Sequence, residues 1–301
     1  APSAAPAAPS GLPPPGSVPP PPGSAPGKKK KRKPAPCSTL GNHQAYYGYR
    51  PQVKGDTGAK RADARLRYLD GAWWRGRKCK DVGCNDGTFT LELAKRFAPR
   101  SLVGVDADPG LVRTASATAA KVVRGEDAAP LVEAADREGG GVLALGPLPF
   151  PRNVWFEAED VAAADAARGD HSFDLVSAFS VTKWIHLNHG DDGLLRFFRH
   201  VHASLRPGGR FVYEPQEWKS YANRRRVSDV TKKNYSEIKI KPPDFPRVLV
   251  EDVGFSRVDH LGTPDDETLP QGFRRGLWCA VKAGGGGGAA EAGAEAGAGE
   301  V

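Results

Sequence analysis

A short loop of small residues, Asp81-Val-Gly-Cys-Asn-Asp-Gly87, separates a strand-like run from a helix-like run. Its G-x-N-x-G order after an acidic residue differs from the G-x-G-x-x-G pattern that holds the pyrophosphate of a dinucleotide. A carboxylate at the end of the first strand suits a ligand that carries a cationic amino group. The loop therefore predicts a site for S-adenosylmethionine rather than NAD.

Two more carboxylates follow later strand-like runs. Asp106 closes the second run, 19 residues after Gly87, where a carboxylate can accept hydrogen bonds from both ribose hydroxyls. Asp160 comes just after the third run and is placed to receive the adenine amine. A single aspartate at a strand end is often only a helix cap or a turn residue. Three such acids in register with the first three strands favour the cofactor interpretation.

The elements that position these acids alternate between strands and helices. Mostly apolar runs predict strands over 101–106, 153–158, 173–179 and 210–214, and helical patterns cover 88–97, 109–123 and 192–205. Strand-helix-strand repetition predicts an α/β fold with a doubly wound, mostly parallel sheet. Two late strands, 257–261 and 276–282, should add an antiparallel hairpin and bring the sheet to seven strands. The first strand, 78–82, is unusually polar for a central parallel strand.

Three segments depart from this alternation. Residues 125–149 predict a loop insertion, and residues 218–246 predict a helix and a loop lying over the sheet. The terminal residues 1–36 hold 13 of the 27 prolines, and residues 283–301 contain only Ala, Gly, Glu and one Val. Both ends are too poor in large apolar side chains to offset the entropy of ordering. We expect disordered tails at 1–36 and 283–301 around one domain at 37–282.

Charge and cysteine content restrict the partners and the compartment. The run Lys28–Lys33 carries six of the positive charges, and the net charge is +8. Such a run fits a nuclear import signal, a flexible arm on phosphates or a solubilising cluster, and we expect a nuclear protein. Four cysteines lack zinc-type spacing, and no apolar run approaches 18 residues. These features predict a reduced, intracellular protein with no membrane segment.

Two constellations outside the cofactor pattern mix aromatic and basic residues. The first comprises Tyr46-Tyr-Gly-Tyr-Arg50 with later Arg and Trp residues, and the second is Thr182-Lys-Trp-Ile-His-Leu-Asn188. Aromatic rings can stack on bases while Arg and Lys hold phosphates, although the same aromatics could form a hydrophobic lid on the sheet. The second motif follows the fourth strand, at the sheet edge where ligands of α/β proteins bind.

In combination, the motifs YYGYR, DVGCNDG, TKWIHLN, LRPGG and EPQEW resemble the Bicoid-interacting type of RNA methyltransferases over nearly all of 41–282. Family members transfer methyl from S-adenosylmethionine to the 5′ γ-phosphate of a small noncoding RNA. The resemblance implies that Tyr47 and Arg65 close over the cofactor and that Phe179 lies beside its methionine moiety. It also implies that Gly83, Cys84 and Asn85 form the cofactor loop. Asp106 and Ala107 would then hold the ribose side, and Asp160 and Val161 would flank the adenine. The chain departs from the family in its polar first strand, in Asp86 and in the insertion at 125–149.

The chemistry of a terminal phosphate agrees with these residues. Its second pKa is about 6, so at pH 7 its oxygen is already anionic and needs no general base. Lys183, His186 and Arg50 are the candidates for gripping a triphosphate, although His186 could be a buried structural histidine. His186, His189 and Asp191 lack the spacing of a metal site, and we expect no metal.

The expected partner is a small noncoding RNA with a 5′ triphosphate, together with ribonucleoprotein proteins, and the expected oligomeric state is a monomer. Two other functions share some of these features. A small-molecule O- or carboxyl-methyltransferase would use the same cofactor loop but would not need the basic residues or the YYGYR segment. A noncatalytic RNA-binding scaffold would retain product and cofactor without turnover.

Overall fold

The computed structural model describes residues 40, 63–126, 148–163, 171–264 and 273–284. All of them belong to one unit of chain contacts, Cys37–Val301. The segment 41–50, the run Lys28–Lys33 and nearly all of the predicted insertion and tails lie outside the described residues. None of the helices described is long and apolar enough to cross a membrane.

Seven strands form one sheet in the part of the chain that is described. They are β1 Lys78–Val82, β2 Ser101–Asp106, β3 Val154–Ala158, β4 Phe173–Phe179, β5 Leu205–Glu214, β6 Arg257–Gly262 and β7 Leu277–Val281. Their order across the sheet is β3-β2-β1-β4-β5-β7-β6. Strands β1 to β5 are parallel, and β7 is antiparallel to both of its neighbours. The predicted doubly wound α/β class and the late antiparallel hairpin are confirmed.

The helices cover the two faces of the sheet. They are α1 Thr88–Phe97, α2 Pro109–Glu126, α3 Thr182–Ser204, α4 Trp218–Ala222, α5 Asp229–Glu237 and α6 Phe245–Val248. Short 3-10 turns at Ala64–Tyr68, Gly71–Trp73 and Pro242–Asp244 and a π-helical turn at Leu249–Val253 complete the described elements. The prediction of one helix and a loop over 218–246 is incomplete, because two helices, a 3-10 turn and the start of α6 lie there.

Alternate strand residues point into two separate cores. Phe211 and Tyr213 of β5 join the cluster that packs under α3, whereas Val212 between them joins the cluster that packs under α1. Side chains in a strand alternate between faces, and both faces of this sheet are covered. This two-sided burial explains why the central strands lack polar alternation in the sequence.

Helix α3 is longer than the sequence predicts. The sequence predicts a helix over 192–205, but the helical run begins at Thr182 and is only interrupted at Gly190, where φ is 65° and ψ is −168°. At the other end, Leu205 belongs to β5 rather than to the helix. The motif Thr182–Asn188 therefore lies on a helix that starts directly after β4.

The polar strand β1 is accommodated by internal partners. Lys80 is 7% exposed, and its Nζ lies 2.8 and 2.6 Å from the two carboxylate oxygens of Glu159. The carboxylate of Asp81 accepts hydrogen bonds from the hydroxyls of Thr90 and Ser177 at 2.6 and 2.7 Å. Because each buried polar group is bonded, a polar strand can occupy the centre of the sheet.

Candidate functional site

An open cleft of about 830 Å³, part of it open to solvent, lies at the carboxyl ends of β1, β2 and β4. This is the edge where open α/β sheets bind their ligands. Seven of the residues predicted to bind cofactor line it, namely Gly83, Asn85, Asp106, Ala107, Asp160, Val161 and Phe179. Sequence motifs spread over about a hundred residues therefore converge on one site.

The loop after β1 has the backbone shape that its glycines predict. Gly83 has a φ of +77°, and a Cβ on it would stand 2.7 Å from Cγ2 of Val181. Asn85 also adopts a left-handed conformation, with φ 53°. These residues turn the chain sharply between β1 and α1, which leaves room for a ligand at the start of the helix.

Asp106 links this loop to the second strand. Its Oδ2 accepts the backbone N–H of Asn85 and its Oδ1 accepts that of Asp108, both at 3.0 Å. Burial raises the pKa of Asp106, and these two hydrogen bonds oppose the rise. A carboxylate has about four lone-pair sites, so each oxygen can accept one further hydrogen bond. The carboxylate of Asp106 therefore has acceptor sites for the two hydroxyl donors of a ribose.

The predicted adenine side of the cleft is formed by the segment after β3. Asp160 Oδ1 accepts the backbone N–H groups of Ala162 and Ala163 at 3.0 and 3.3 Å, so this aspartate also shapes a turn. Val161 is 5% exposed and lines the cleft beside it. An apolar wall next to a carboxylate suits a flat base with an exocyclic amine.

Phe179 is supported from behind by Arg65, the residue expected to close over the cofactor. Arg65 is fully buried, and its Nη1 and Nη2 lie 3.2 Å from Glu214 and 2.9 Å from Asp63. Its guanidinium carbon lies 3.8 Å from the centre of the Phe89 ring and 5.1 Å from that of Phe179. In this structure Arg65 therefore supports the wall of the cleft instead of lining it.

Two other residues of the loop are also internal. Cys84 is 1% exposed, and burial raises its thiol pKa. Asp81, the acid expected to face a cationic amino group, is 3% exposed and bonded to Thr90 and Ser177. Burial raises the pKa of Asp81 as well. These side chains fix the loop from beneath.

His186, one of the two predicted phosphate-gripping residues of α3, points into the protein. His186 is fully buried, with Nε2 2.7 Å from Asp191 and Nδ1 3.4 Å from the hydroxyl of Tyr221. Burial lowers the pKa of His186 although Asp191 opposes the change, and the ring is therefore neutral at pH 7.

Lys183 is 8% exposed, and its Nζ lies 3.2 Å from the hydroxyl of Ser220 and 4.9 Å from the ring centre of Trp184, a cleft residue. The remaining predicted residues, Tyr47 and Arg50, lie outside the described residues.

The structure adds cleft residues that the motifs do not identify. Glu159, Ser180 and Val181 each lie close to a predicted residue in the sequence. Only their positions at strand ends could have predicted them from the sequence, because their residue types do not indicate a binding role. Leu111, near the start of α2, adds apolar surface to the cleft.

The strand order, the loop after β1 and the Asp106 carboxylate at the end of β2 define a Rossmann-like, S-adenosylmethionine-dependent methyltransferase. A family model described as Bicoid-interacting protein 3 (Bin3) matches residues 173–282. The chain is 36% identical to the "Probable RNA methyltransferase At5g51130" of Arabidopsis thaliana, over 82% of this chain and 81% of that protein. The chain belongs to the Bicoid-interacting protein 3 family of RNA methyltransferases.

The names of two further relatives mention different RNA substrates. The "7SK snRNA methylphosphate capping enzyme" of Mus musculus is 34% identical over 81% of this chain and 40% of that protein. The "RNA 5'-monophosphate methyltransferase" of Mus musculus is 32% identical over 47% of this chain and 46% of that protein. The chain thus spans less than half the length of either mouse relative.

Proposed function

We propose that this protein transfers the methyl group of S-adenosylmethionine to the 5′ γ-phosphate of a small noncoding RNA. The observation that carries the proposal is a strongly basic module beside the cleft, residues 218–241. This module contains eight Lys or Arg residues and two acidic ones, a net charge of +6. A dense basic surface next to a catalytic cleft favours a polyanionic substrate over a small neutral one.

The module presents aromatic rings together with its cations. Trp218 and Tyr235 stack with their ring centres 4.9 Å apart and their planes at 9°. Lys241 lies 5.7 Å from the Trp218 ring centre, and Arg225 lies 5.2 Å from that of Tyr235. Aromatic surfaces interleaved with cations suit unpaired bases and phosphates of RNA.

Contacts with α3 fix this module next to the cleft. The side-chain amide of Asn234 donates to the carbonyl of Leu187 at 3.0 Å, and Lys183 Nζ contacts Ser220. Because Trp184 and Asn188 on the same turns of α3 line the cleft, RNA held on the module would have its 5′ end near the cofactor.

The proposed reaction needs alignment rather than a base. Bound S-adenosylmethionine supplies an electrophilic methyl group, and a terminal phosphate oxygen is already anionic at pH 7. The chain has to hold that oxygen in line, and positioning of this kind can supply several of the roughly 7–11 kcal/mol available from proximity. We assign the grip to Lys183 and Arg50, and we assign to neutral His186 the positioning of α3 through Asp191 and Tyr221.

Methyl transfer to RNAs that differ only at the 5′ end tests the proposal. Labelled S-adenosylmethionine is incubated with one RNA carrying a 5′ triphosphate, a 5′ monophosphate or a 5′ hydroxyl. The proposal expects label on the triphosphate RNA. Label only on the monophosphate RNA would refute the γ-phosphate assignment, and label on none of them, with intact RNA binding, would indicate a noncatalytic scaffold. Transfer to small carboxylic acids but not to RNA would indicate a small-molecule enzyme.

The role of Lys183 has its own test. Lys183→Ala should leave S-adenosylmethionine affinity nearly unchanged and reduce transfer by roughly 10² or more, the scale for removing one positioned group at a reacting centre. Lys121→Ala, an exposed lysine of α2 outside the basic module, is the control and should change transfer only a few-fold. Transfer by Lys183→Ala within a few-fold of wild type would refute the assignment.

We also propose that the protein acts in the nucleus as a monomer, alongside ribonucleoprotein proteins. The run Lys28–Lys33 supports nuclear import, and the relative named for 7SK snRNA supports a nuclear RNA substrate. Deleting residues 1–36 should move a fluorescent fusion out of the nucleus while methyl transfer persists. Unchanged nuclear accumulation would show that the run is not the import signal, and light scattering after gel filtration would test the monomer.

A further inference from the structure

The last strand brings an arginine to the ligand-binding edge of the sheet. Strand β7 runs antiparallel to β5, with Trp278 opposite Tyr213. Its beginning therefore lies beside the end of β5, at the edge where the parallel strands end. Arg275 comes two residues before β7 starts at Leu277, so topology alone places it near the cleft.

A hydrogen bond connects Arg275 to the wall of the cleft. Its Nη1 donates to the hydroxyl oxygen of Ser180 at 2.8 Å. Ser180 lines the cleft directly after Phe179, and its own hydroxyl donates to Glu214 Oε2 at 2.5 Å. The guanidinium therefore stands one side chain away from the methionine side of the cofactor site.

The charge of Arg275 is not neutralised within the described part of the chain. Its contacts there are the neutral hydroxyl of Ser180 and the ring of Phe273, whose centre is 5.5 Å from the guanidinium carbon. Arg65 nearby differs, because it pairs with the carboxylates of both Asp63 and Glu214. A partly buried guanidinium without a carboxylate is suited to an anionic ligand.

We propose that Arg275 binds the 5′ phosphate group of the RNA beside the methyl-transfer position, and this inference rests on the proposed function. Ser180 orients the guanidinium toward the cleft, and the guanidinium fork provides a planar pair of donors for phosphate oxygens. Arg275 would thus be a substrate-binding residue contributed by the last strand, remote in sequence from the YYGYR and TKWIHLN motifs.

A thermodynamic cycle on the holoprotein tests this contact directly. The affinities of wild type and Arg275→Ala are measured, with S-adenosylhomocysteine present, for one RNA that carries either a 5′ triphosphate or a 5′ hydroxyl. A charge-assisted contact predicts that Arg275→Ala weakens binding of the triphosphate RNA roughly 10- to 100-fold. Binding of the hydroxyl RNA should change less than about threefold, because backbone contacts elsewhere are retained. Arg275→Lys should restore part of the difference, since the charge remains while the fork is lost.

The matched control is Arg257→Ala at the opposite end of the same hairpin. Arg257 pairs in register with Val281, and its Nε bonds Asp259 at 3.0 Å. Arg257→Ala should weaken binding of both RNAs equally and only slightly. Equal weakening of both RNAs by Arg275→Ala, or no weakening of either, would overturn the inference. Labelled methyl transfer by wild type is scored separately, so a failure of the proposed function is distinguishable from a failure of the Arg275 contact.

Discussion

Removal of the ammonium group of Lys80 should destabilise the protein in a pH-dependent manner. Lys80→Met keeps an apolar stem on the central strand but leaves Glu159 without the ammonium that lies within 2.8 Å of both its oxygens. His200 Nε2 is 3.4 Å from the same carboxylate but lacks hydrogen-bond alignment. Lys80 is therefore the main partner that the substitution removes.

The pKa of Glu159 gives the size of the effect. Burial opposes its ionisation, yet the neighbouring imidazole of His200 and the hydrogen-bonded ammonium of Lys80 hold its pKa at about 2, below the ordinary 4.5. At about 1.4 kcal/mol per pKa unit, the ionised carboxylate contributes at most about 3 kcal/mol to the free energy of unfolding. The Glu159 side chain is 27% exposed, so solvent screening lowers the expected loss in Lys80→Met to about 2 kcal/mol at pH 7.

The direction with pH follows from the lowered pKa. A carboxylate with a depressed pKa stabilises the fold fully above its unfolded pKa of 4.5, and the contribution is lost as pH falls toward about 2. At pH 3 roughly two fifths of the carboxylate's contribution to the free energy of unfolding should remain. The stability lost in Lys80→Met should therefore shrink to about 0.8 kcal/mol.

Urea unfolding followed by tryptophan fluorescence at pH 7, 5, 4 and 3 measures the deficit directly. Lys232→Met, an exposed lysine of α5, should show almost no loss at any pH. The double variant Lys80→Met with Glu159→Gln should recover part of the stability, since it removes the unpaired charge. A deficit that stays the same from pH 7 to pH 3 would refute this reasoning and assign the effect to packing of the lysine stem.

Further substitutions test the cofactor loop and the buried histidine. Asp106→Ala should weaken S-adenosylmethionine binding by calorimetry on the order of 10²-fold while the circular dichroism spectrum is kept, on the scale of losing charge-assisted hydrogen bonds; wild-type affinity would remove Asp106 from the site. Gly83→Ala should also weaken cofactor binding, because its Cβ would stand 2.7 Å from Val181, whereas Gly208→Ala, with φ +75° but nothing within 4 Å, isolates backbone strain. Because burial lowers the pKa of His186, its protonation favours unfolding as pH falls below the ordinary 6.5. His186→Gln should therefore flatten the stability profile between pH 7 and 5, and an unchanged slope would contradict this.

Local sequence was sufficient for the elements that have a continuous apolar run or a clear helical period. Strands Ser101–Asp106 and Phe173–Phe179 and helix Thr88–Phe97 match their predicted limits, because continuous apolar runs or a clear helical period define them. The cleft residues Gly83, Asn85 and Asp106 were also predictable, since their places depend only on where two neighbouring strands end. The start of α3 was not predictable, because in sequence an interrupted helix cannot be distinguished from a helix that begins after Gly190.

The remaining features depend on contacts between distant segments. Arg65 reaches Glu214 across 149 residues of sequence, and Arg275 reaches Ser180 across 95. Lys80 looked out of place on a central strand because its partner Glu159 lies 79 residues away. No local pattern reports such pairs, so sequence alone could identify these charges but not whether each one is used internally or faces the cleft.

The position of β7 between β5 and β6 has a consequence for synthesis of the protein on the ribosome. Strands β5 and β6 emerge first, and each exposes an unpaired edge until Leu277–Val281 is available to pair with both. Open edges of this kind invite pairing with other chains. A polypeptide released before Leu277 would therefore be prone to aggregate and would also lack Arg275 at its native position. The sheet therefore reaches its native pairing only when this late strand has been translated.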